Sequence, residues 1–350
     1  MRWPASALAL LCVVIGAQGQ ASLKQLPRTE LFGHSYIRLE DWARANNFSV
    51  RYTSGSLVVM VTNRWARLRF ETDSRKAELD GITVHLSNPV AKRNGSAYIT
   101  ALDLQTAVHP VLFPPKNPAG KRIRTICLDA GHGGKDAGNL EGKLQEKNYT
   151  LRLAQEVRDL LASSGFKVVM TRSSDSFIEL YERPDIARRR GADLFVSLHF
   201  NSYAGASRDA KGAEVYCLTP AKASSTNARG EGAETGAMPG NKFDERNMLL
   251  AYQVQKRLER DLRIEDRGVR RARFAVLRNA EMPAVLIEGG FMSHPTEGKK
   301  ITEPAYQRQL AQAIVDGILA YKRLVERGGV EPSTAAPAKK TKAPATASAR

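Results

Sequence analysis

Apolar and polar positions alternate along residues 122–326 in a pattern that predicts a series of strands and helices. Apolar runs of strand length recur between segments whose apolar residues repeat every three to four positions. Such alternation predicts an α/β fold with a mixed sheet flanked by helices on both faces. The predicted strands are Arg124–Asp129, Lys167–Arg172, Leu194–Phe200, Glu214–Leu218 and Pro283–Gly289, and the predicted helices are Tyr149–Ser163, Leu180–Arg190, Met248–Leu262 and Pro304–Val325.

Residues 25–110 predict a small α+β module in front of this sheet. The segment Gly33–Trp42 is echoed by Gly95–Leu104, with Gly, Tyr, Ile and Asp in register, and each copy predicts a short strand running into a helix. Strand-like runs lie between the copies, and Asp80-Gly81 is a hairpin signal. The histidines of this module are scattered along it, so we expect no site there.

Three further segments complete the predicted organisation. Residues 1–21 combine a cationic start, an apolar run at Ala5–Ala17 and small residues after it, which predicts a secretory signal peptide. That run is too short to span a bilayer and no later segment is long enough, so we expect an exported protein without a transmembrane segment. Residues 111–121 are rich in proline and predict a linker, while 327–350 predict a disordered basic tail.

The overall charge indicates a polyanionic partner. The chain has 350 residues and a formal net charge of +17, which suits nucleic acid, anionic lipid or an anionic cell wall. Export argues against nucleic acid and favours the periplasm or the cell wall. Cys127 and Cys217 lie in apolar runs, and the sequence leaves open whether they are free buried thiols or a disulfide.

Two histidines and one glutamate form the candidate chemistry of the chain. His132 and His199 lie at the ends of predicted strands, and Glu146 lies at the start of a predicted helix. This set is typical of a three-ligand zinc site that keeps its fourth position open for water. Each residue has a simpler alternative: a lone histidine at a strand end is more often structural, the glycines around His132 could be a plain turn, and Glu146 could be a partner of the helix dipole. A phosphate loop is excluded because no Gly-Lys-Ser/Thr follows.

Glu288 is a second candidate carboxylate. It lies in Val285–Phe291, between an apolar run and two glycines. A carboxylate in such a place is costly unless it is paired or faces a cleft. We therefore consider it as the base beside the proposed metal.

Longer motifs give residues 124–325 a clear resemblance to a known family. They resemble a zinc-dependent N-acetylmuramoyl-L-alanine amidase of the Amidase_3 type. The resemblance implies zinc held by His132, Glu146 and His199, with Glu288 as the catalytic carboxylate. It also implies cleavage of the peptidoglycan amide that joins the lactyl group of N-acetylmuramic acid to L-alanine. The motifs are Asp129–Asp136, Glu146-Lys147, Thr171-Arg172, Leu180–Arg183, Ala192–Asn201, Arg267–Val269 and Phe291–Ser293.

The module at 25–110 resembles the N-terminal domain of copper amine oxidases, a stalk-like unit also found ahead of secreted cell-wall enzymes. The resemblance rests on the two Tyr-Ile…Asp copies and implies no copper here. Two alternatives to the amidase activity stay open: a wall-binding protein without catalysis, and a zinc-dependent deacetylase of wall sugars.

Three further expectations concern the surroundings of the metal. Asn201 and Arg183 are expected either to orient the metal ligands through hydrogen bonds or to bind substrate. A structural ion pair is the alternative for Arg183. The polar segment Ala221–Glu245 follows the strand after that of His199, so we expect a long loop near the site. The resemblance implies that such a loop gates the zinc until an activator protein displaces it, as in some members of the family, and a merely mobile surface loop is the alternative. The candidate blocking carboxylates are Glu231, Glu234, Asp244 and Glu245.

Overall fold

The computed structural model describes residues 23–53, 58–203, 208–226 and 236–326. The predicted signal peptide at 1–21 and the predicted basic tail at 327–350 therefore lie outside the described residues. Residues 227–235 of the proposed gating loop, with Glu231 and Glu234, also lie outside them. Within the described ranges, no helix is long and apolar enough to cross a membrane.

The first unit contains short strands joined by tight turns. Three of these turns place a non-glycine residue and the following glycine at positive φ, at Phe32-Gly33, Asp80-Gly81 and Asn94-Gly95. The hairpin predicted at Asp80-Gly81 is confirmed. The strands are β1 (Arg28–Leu31), β2 (His34–Arg38), β3 (Ser49–Thr53), β4 (Val58–Thr62), β5 (Arg67–Glu71), β6 (Lys76–Leu79), β7 (Ile82–His85), β8 (Ala91–Arg93) and β9 (Ser96–Thr100), and the helices are α1 (Leu39–Ala45), α2 (Ala101–Asp103) and α3 (His109–Leu112).

Both copies of the internal repeat fold as a short strand running into a helix, β2 into α1 and β9 into α2. The two copies also pair with each other, because β2 and β9 are antiparallel with Ile37 opposite Ile99. They form the centre of a four-stranded sheet in the order β1-β2-β9-β8. Between α2 and α3, residues Leu104–Val108 form one turn of π-helix.

The second unit carries longer strands and helices close to the predicted bounds. The 3-10 helix at Pro239–Phe243 and the short helices at Ala275–Arg278 and Glu297–Thr302 were not predicted, because they are too short to show an apolar periodicity. The strands are β10 (Thr125–Ala130), β11 (Leu140–Glu141), β12 (Leu144–Gln145), β13 (Lys167–Met170), β14 (Leu194–Asn201), β15 (Ala213–Leu218), β16 (Asp266–Ala272) and β17 (Ala284–Phe291), and the helices are α4 (Glu146–Ser163), α5 (Glu182–Arg189), α6 (Asp244–Leu262), α7 (Ala275–Arg278), α8 (Glu297–Thr302) and α9 (Pro304–Glu326).

Helices cover both faces of the central sheet, which confirms the predicted fold class. On one face, α4, α6 and α9 pack with strand residues such as Leu128 and Val196. On the other face, α5 and α7 pack with their sequence neighbours Cys127 and Phe195. Consecutive strand residues thus pack into the cores on opposite faces of the sheet, and this explains why the strands are apolar throughout.

The two cysteines lie on opposite faces of this sheet. Cys127 belongs to the core under α5 and α7, while Cys217 belongs to the core under α4, α6 and α9. Both thiols are buried and free. Burial raises the pKa of each thiol, so both stay protonated. The open question of a disulfide is settled in favour of free buried thiols.

One sheet runs through both predicted units. Its eleven strands follow the order β13-β10-β14-β17-β15-β16-β7-β6-β5-β4-β3. The junction is the parallel pair of β16 with β7, where Val269 lies opposite Val84. The backbone N–H of Thr83 donates to the carboxylate of Asp266 at 2.7 Å and reinforces it. The first unit therefore extends the sheet of the second.

Strand direction decides which groups meet at the edge of this sheet. β10, β14 and β17 are parallel neighbours, so their carboxyl ends share one edge. β15 is antiparallel to β17, with Val215 opposite Ile287 and Tyr216 opposite Leu286. The start of β15 therefore lies at that edge, and the segment after Leu218 leaves from the opposite edge.

A buried histidine ties α3 to α1 in the first unit. The indole Nε1 of Trp42 donates to Nε2 of His109 at 2.8 Å, and His109 is only 4% exposed. Burial lowers the pKa of His109 from 6.5 to about 4. Burial, together with the charge of Arg270, also lowers the pKa of His85 to about 4.

We expect the burial of His109 to lower the free energy of unfolding of the protein in mild acid. The unfolded chain binds a proton on His109 near pH 6.5, whereas the folded protein resists it to about pH 4. Stability that is present above pH 6.5 is therefore lost as the pH falls between these values. His109→Gln keeps a hydrogen-bond acceptor for Trp42 but has no group that titrates in this range. Its free energy of unfolding should therefore fall by roughly 2 kcal/mol less than that of the wild type between pH 7 and 4.5. Urea unfolding at both pH values measures this, with His34→Gln as the control. An unchanged pH dependence in His109→Gln would contradict it.

Candidate metal centre

Three side chains from different elements converge at the carboxyl edge of the sheet. His132 follows β10, Glu146 is the first residue of α4, and His199 lies on β14. One donor atom from each lies within 4.8 Å of the other two. His132 Nε2 is 3.1 Å from Glu146 Oε2, and His199 Nδ1 is 3.0 Å from Glu146 Oε1. The residues predicted as metal ligands are thus brought together by the fold.

The backbone and a nearby carboxylate fix the orientation of His132. Its φ is +62°, a left-handed conformation that non-glycine residues adopt rarely, in a turn of neighbouring glycines. Its Nδ1 lies 2.8 Å from Asp136 Oδ2, which leaves Nε2 facing Glu146 and His199. A histidine whose second nitrogen binds a carboxylate is the usual arrangement of a metal ligand. Asp136, four residues after His132, was not predicted in this role.

Glu146 is buried and held by several donors. The backbone N–H and side-chain amide of Asn139 each donate to Oε2 at 2.9 Å, and the N–H of Phe200 donates to Oε1 at 3.1 Å. Burial alone would raise the pKa of Glu146, but His132 and His199 outweigh it and hold the pKa well below its ordinary value. The carboxylate is therefore ionised, as a metal ligand must be.

The opposite shift occurs at His132. Burial favours its neutral form, but hydrogen bonds and charges from Glu146 and Asp136 outweigh burial and raise the pKa of His132. The pocket is therefore built to attract positive charge. Two imidazoles and one carboxylate at this spacing are a donor set that suits zinc, so these residues fit the metal that the sequence implies.

Glycines allow the ligands to approach the backbone closely. A Cβ on Gly131 would lie 2.2 Å from Cε1 of His199, and one on Gly138 would lie 2.6 Å from Cδ2 of His132. Real side chains do not tolerate such distances, so glycine at these positions is part of the site.

We expect Gly131→Ala to displace His199 and weaken metal binding by about 10–100-fold, the range found when the support of a ligand is lost. The backbone of Gly131 is not at positive φ, so the effect comes from the Cβ contact. Chelator competition for bound zinc measures the change. Gly236→Ala is the control, because a Cβ there meets nothing within 4 Å. Equal zinc affinity in both variants would contradict the expectation.

A buried ion pair supports the turn that carries His132. Arg183 Nη1 lies 2.9 Å from Asp129 Oδ1, and both side chains are almost fully buried. The same guanidinium donates to the carbonyl oxygens of Ala130 and His132 at 2.9 Å each. Thr171 and Ser197 donate their hydroxyls to Asp129 at 2.7 Å each. Arg183 is therefore a structural positioning residue, the alternative that the sequence left open.

Asp129 and Arg172 were not predicted as supporting residues. Burial alone would raise the pKa of Asp129, but Arg183 and the two hydroxyl donors outweigh it and lower the pKa. Arg172 is also buried and donates to the carbonyl oxygens of Ala130 and Gly131 at 2.9 and 2.8 Å. The signal for Asp129 was present in the sequence, because a carboxylate in an otherwise apolar strand requires a partner.

Glu288 lies beside the cluster on β17. It is opposite His199 in the parallel ladder and opposite Glu214 in the antiparallel one. Its Oε2 atom is buried and has no hydrogen-bond partner among the described residues. Burial, and then the charges of Glu146 and Glu214, raise the pKa of Glu288 well above its ordinary value. Among Glu146, Glu214 and Glu288, it is Glu288 whose carboxylate is left available for proton transfer.

Glu214, in contrast, is fully engaged. Its Oε2 lies 3.1 Å from Arg267 Nε and 2.7 Å from Arg270 Nε. Asn201 Nδ2 donates to its Oε1 at 2.9 Å, and so does the hydroxyl of Tyr216 at 2.8 Å. Asn201 thus positions Glu214 rather than a metal ligand. Sequence reasoning missed Glu214, although it too is a carboxylate in an apolar strand.

The prediction that segment 221–245 lies near the site is wrong for its described residues. The segment follows β15, which runs antiparallel to β17 and ends at the opposite edge. The carbonyl oxygens of Ser224 and Ser225 accept from Arg75 of the first unit at 2.9 and 3.2 Å. Its last residues are not a loop, since they form a 3-10 helix and the start of α6 with Asp244 and Glu245. These two carboxylates therefore lie away from the metal ligands.

Comparison with known proteins gives a consistent family match. Residues 126–320 match the family Amidase_3, described as N-acetylmuramoyl-L-alanine amidase. The chain is 31% identical over 229 residues to N-acetylmuramoyl-L-alanine amidase AmiA of Escherichia coli (strain K12), covering 59% of this chain and 78% of that protein. It is 35% identical over 230 residues to AmiC of Neisseria meningitidis, covering 59% of this chain and 55% of that protein. A solved structure, the amidase AmiC2 of Nostoc punctiforme, aligns with 34% identity over 58% of this chain and 98% of that one, at a TM-score of 0.48.

Proposed function

Because this chain belongs to the Amidase_3 family of N-acetylmuramoyl-L-alanine amidases, we propose that it hydrolyses the amide between N-acetylmuramic acid and L-alanine in peptidoglycan. The observation that carries the proposal is the placement of Glu288, whose buried Oε2 has no hydrogen-bond partner among the described residues, beside a converging set of His132, Glu146 and His199. A wall-binding protein without catalysis would have no use for a carboxylate with a buried oxygen that no described residue satisfies.

The metal in this proposal is zinc. His132 and His199 would hold it through imidazole nitrogens, and Glu146 through a carboxylate oxygen. When bound, zinc supplies the Lewis acidity that lowers the pKa of water and stabilises negative charge on a carbonyl oxygen. Asp136 keeps His132 in place, and Asn139 keeps Glu146 in place. Arg183 and Arg172 donate to the carbonyl oxygens of His132 and Gly131 and so hold the turn that carries His132.

Glu288 is the proton carrier in this proposal. Its carboxylate takes a proton from the water that attacks the lactyl carbonyl carbon. It returns that proton to the alanine nitrogen as the carbon–nitrogen bond breaks, which yields a lactyl carboxylate and a free peptide amine. A raised pKa suits this double role, because it brings the group toward the pH at which it both accepts and releases a proton.

The division of the chain into a module at 25–110, a linker at 111–121 and a catalytic domain at 122–326 remains part of the proposal. The family match begins at residue 126 and leaves the first module outside it. The likeness of that module to the copper amine oxidase N-terminal domain stays a prediction. So does export to the periplasm or wall, which rests on residues 1–21 and on the positive charge.

Product analysis on purified peptidoglycan tests the proposal against both alternatives. An amidase releases stem peptides with a free N-terminal alanine and leaves the glycan acetylated. A deacetylase releases acetate, and a binding protein releases nothing. Release of acetate without free peptides would contradict the amidase activity and show a deacetylase instead.

A further inference from the structure

A cavity lies between the first unit and the N-terminal end of α6, and its lining is separate from the candidate metal centre. It has a volume of about 640 Å³, within the range of small-ligand pockets. Its walls come from the start of the described chain, β1, β2, the α2–α3 region and the N-terminal end of α6. None of the proposed metal ligands lines it, and neither does Glu288.

One wall of the cavity contains a buried amide without a partner. Asn88 is 9% exposed, lines the cavity, and its Nδ2 has no hydrogen-bond partner among the described residues. Its backbone N–H donates to Asp103 Oδ2 at 3.0 Å, and that of Ser87 donates to Oδ1 at 2.6 Å. Since Thr100 Oγ1 also donates to Asp103 at 2.6 Å, the turn is rigid. A buried donor on a rigid turn is costly unless a ligand accepts from it.

The π-helical turn Leu104–Val108 places Gln105 on the same cavity. Such turns are rare and occur often at functional sites. The carbonyl of Thr106 accepts from the buried Arg271 at 2.6 Å, which ties the turn to the second unit. The irregular backbone is therefore fixed in place and presents an amide side chain to the same space as Asn88.

Charges of both signs line the cavity. Lys24 and Arg28 supply the cations from the start of the described chain, and Glu245 supplies a carboxylate from α6. All three are exposed, and no ion pair joins any of them to another side chain within the described ranges. His109, also in the lining, is neutral at pH 7 because burial lowers its pKa to about 4. The charge pattern suits a ligand that carries carboxylates and a terminal ammonium group.

We propose that this cavity binds a free acidic peptide, with Lys24 and Arg28 on its carboxylates, Asn88 donating to it, and Glu245 on its terminal ammonium. This inference rests on the proposed function, because hydrolysis of the muramoyl–alanine amide releases peptides of this chemistry. The intact wall lacks the free alanine ammonium. The cavity would therefore distinguish product from substrate and hold the module near wall that has been cleaved.

Calorimetric titration of the full chain with synthetic L-Ala-γ-D-Glu-meso-diaminopimelate tests the inference. We expect stoichiometric binding that weakens at least tenfold in Lys24→Glu/Arg28→Glu, in Asn88→Ala and in Glu245→Gln. The peptide acetylated on its alanine nitrogen alone, which loses the terminal ammonium and keeps that of diaminopimelate, should bind at least tenfold more weakly. Lys92→Glu/Arg93→Glu is the matched control, since both residues are exposed on β8 of the same unit and lie outside the cavity.

Glu288→Gln distinguishes the cavity from the catalytic cleft and should bind the peptide as the wild type does. Absence of binding would overturn the inference, as would equal binding of the acetylated peptide. Binding that ignores the cavity variants and is lost in Glu288→Gln would place the peptide in the cleft and overturn it as well. Peptidoglycan hydrolysis is measured separately, so a failure of the proposed function appears there and not in this titration.

Discussion

Replacement of Glu288 by glutamine should lower turnover on peptidoglycan by about 10²–10⁴-fold, the usual contribution of a general acid–base group. Glutamine has the shape of glutamate but does not accept and return a proton at this position. Glu288 is not one of the three converging donors, so zinc content should stay at the wild-type value. Turnover and zinc content measured on the same preparation test both parts of this expectation.

The same substitution should leave folding intact or improve it. Oε2 of Glu288 is buried without a described partner, and the carboxylate lies near the charges of Glu146 and Glu214. Glutamine removes that repulsion, so the free energy of unfolding should not fall. Glu303→Gln, an identical change at an exposed position, is the control for turnover. Wild-type turnover in Glu288→Gln would remove this residue from the mechanism.

Combined replacement of His132 and His199 by alanine should abolish zinc binding. Only Glu146 of the three donors remains, and one carboxylate does not hold zinc at the affinity of a three-ligand site. Elemental analysis should fall from about one zinc per chain to the background level. Loss of a residue that only supports a metal ligand typically lowers activity by roughly 10–100-fold. Because this variant loses two ligands themselves, hydrolysis should decrease by more than that.

Two controls make this result specific. Circular dichroism must show that the double variant is folded, because Glu146 loses two hydrogen-bond partners in it. His34→Ala removes a histidine of the first unit and should retain all its zinc. Stoichiometric zinc in the double variant would show that the ligand set is wrong.

Much of the fold follows from local patterns in the sequence. The apolar stripe of α9 predicted its bounds to within one residue, because a long amphipathic helix repeats the same signal over six turns. The strand ends that carry His132 and His199 were also visible, since each apolar run stops at a polar motif. The α4 helix begins at Glu146, three residues earlier than its apolar stripe, because polar residues occupy its first turn.

Strand direction was not visible in the same way, and it accounts for the misplaced loop. The apolar pattern of Glu214–Leu218 is identical for a parallel and an antiparallel strand. The length of the preceding connection carries the missing information. Residues 202–212 contain no helix in their described part, whereas a parallel crossover requires a dozen or more residues and usually a helix. An antiparallel β15 follows, and with it the departure of the chain after Leu218 from the opposite edge, where the described residues 221–226 and 236–245 lie.

The supporting residues of the site were hidden for a different reason. Asp129 and Glu214 are surrounded by apolar neighbours in sequence, and their partners Arg183 and Arg267 lie 54 and 53 residues away. Only the folded sheet brings these charges together. The continuation of the sheet through β16 and β7 is another long-range contact of this kind, with Val84 and Val269 in register.

The central claim is tested most directly by digestion of purified peptidoglycan in water enriched in ¹⁸O, followed by mass spectrometry of both products. Hydrolysis of the muramoyl–alanine amide should place one ¹⁸O in the lactyl carboxylate of the glycan and none in the released peptide, whose N-terminus is a free L-alanine. The Glu288→Gln variant should show the same label at a much lower rate. Label in released acetate, or no label in the lactyl carboxylate, would contradict the account.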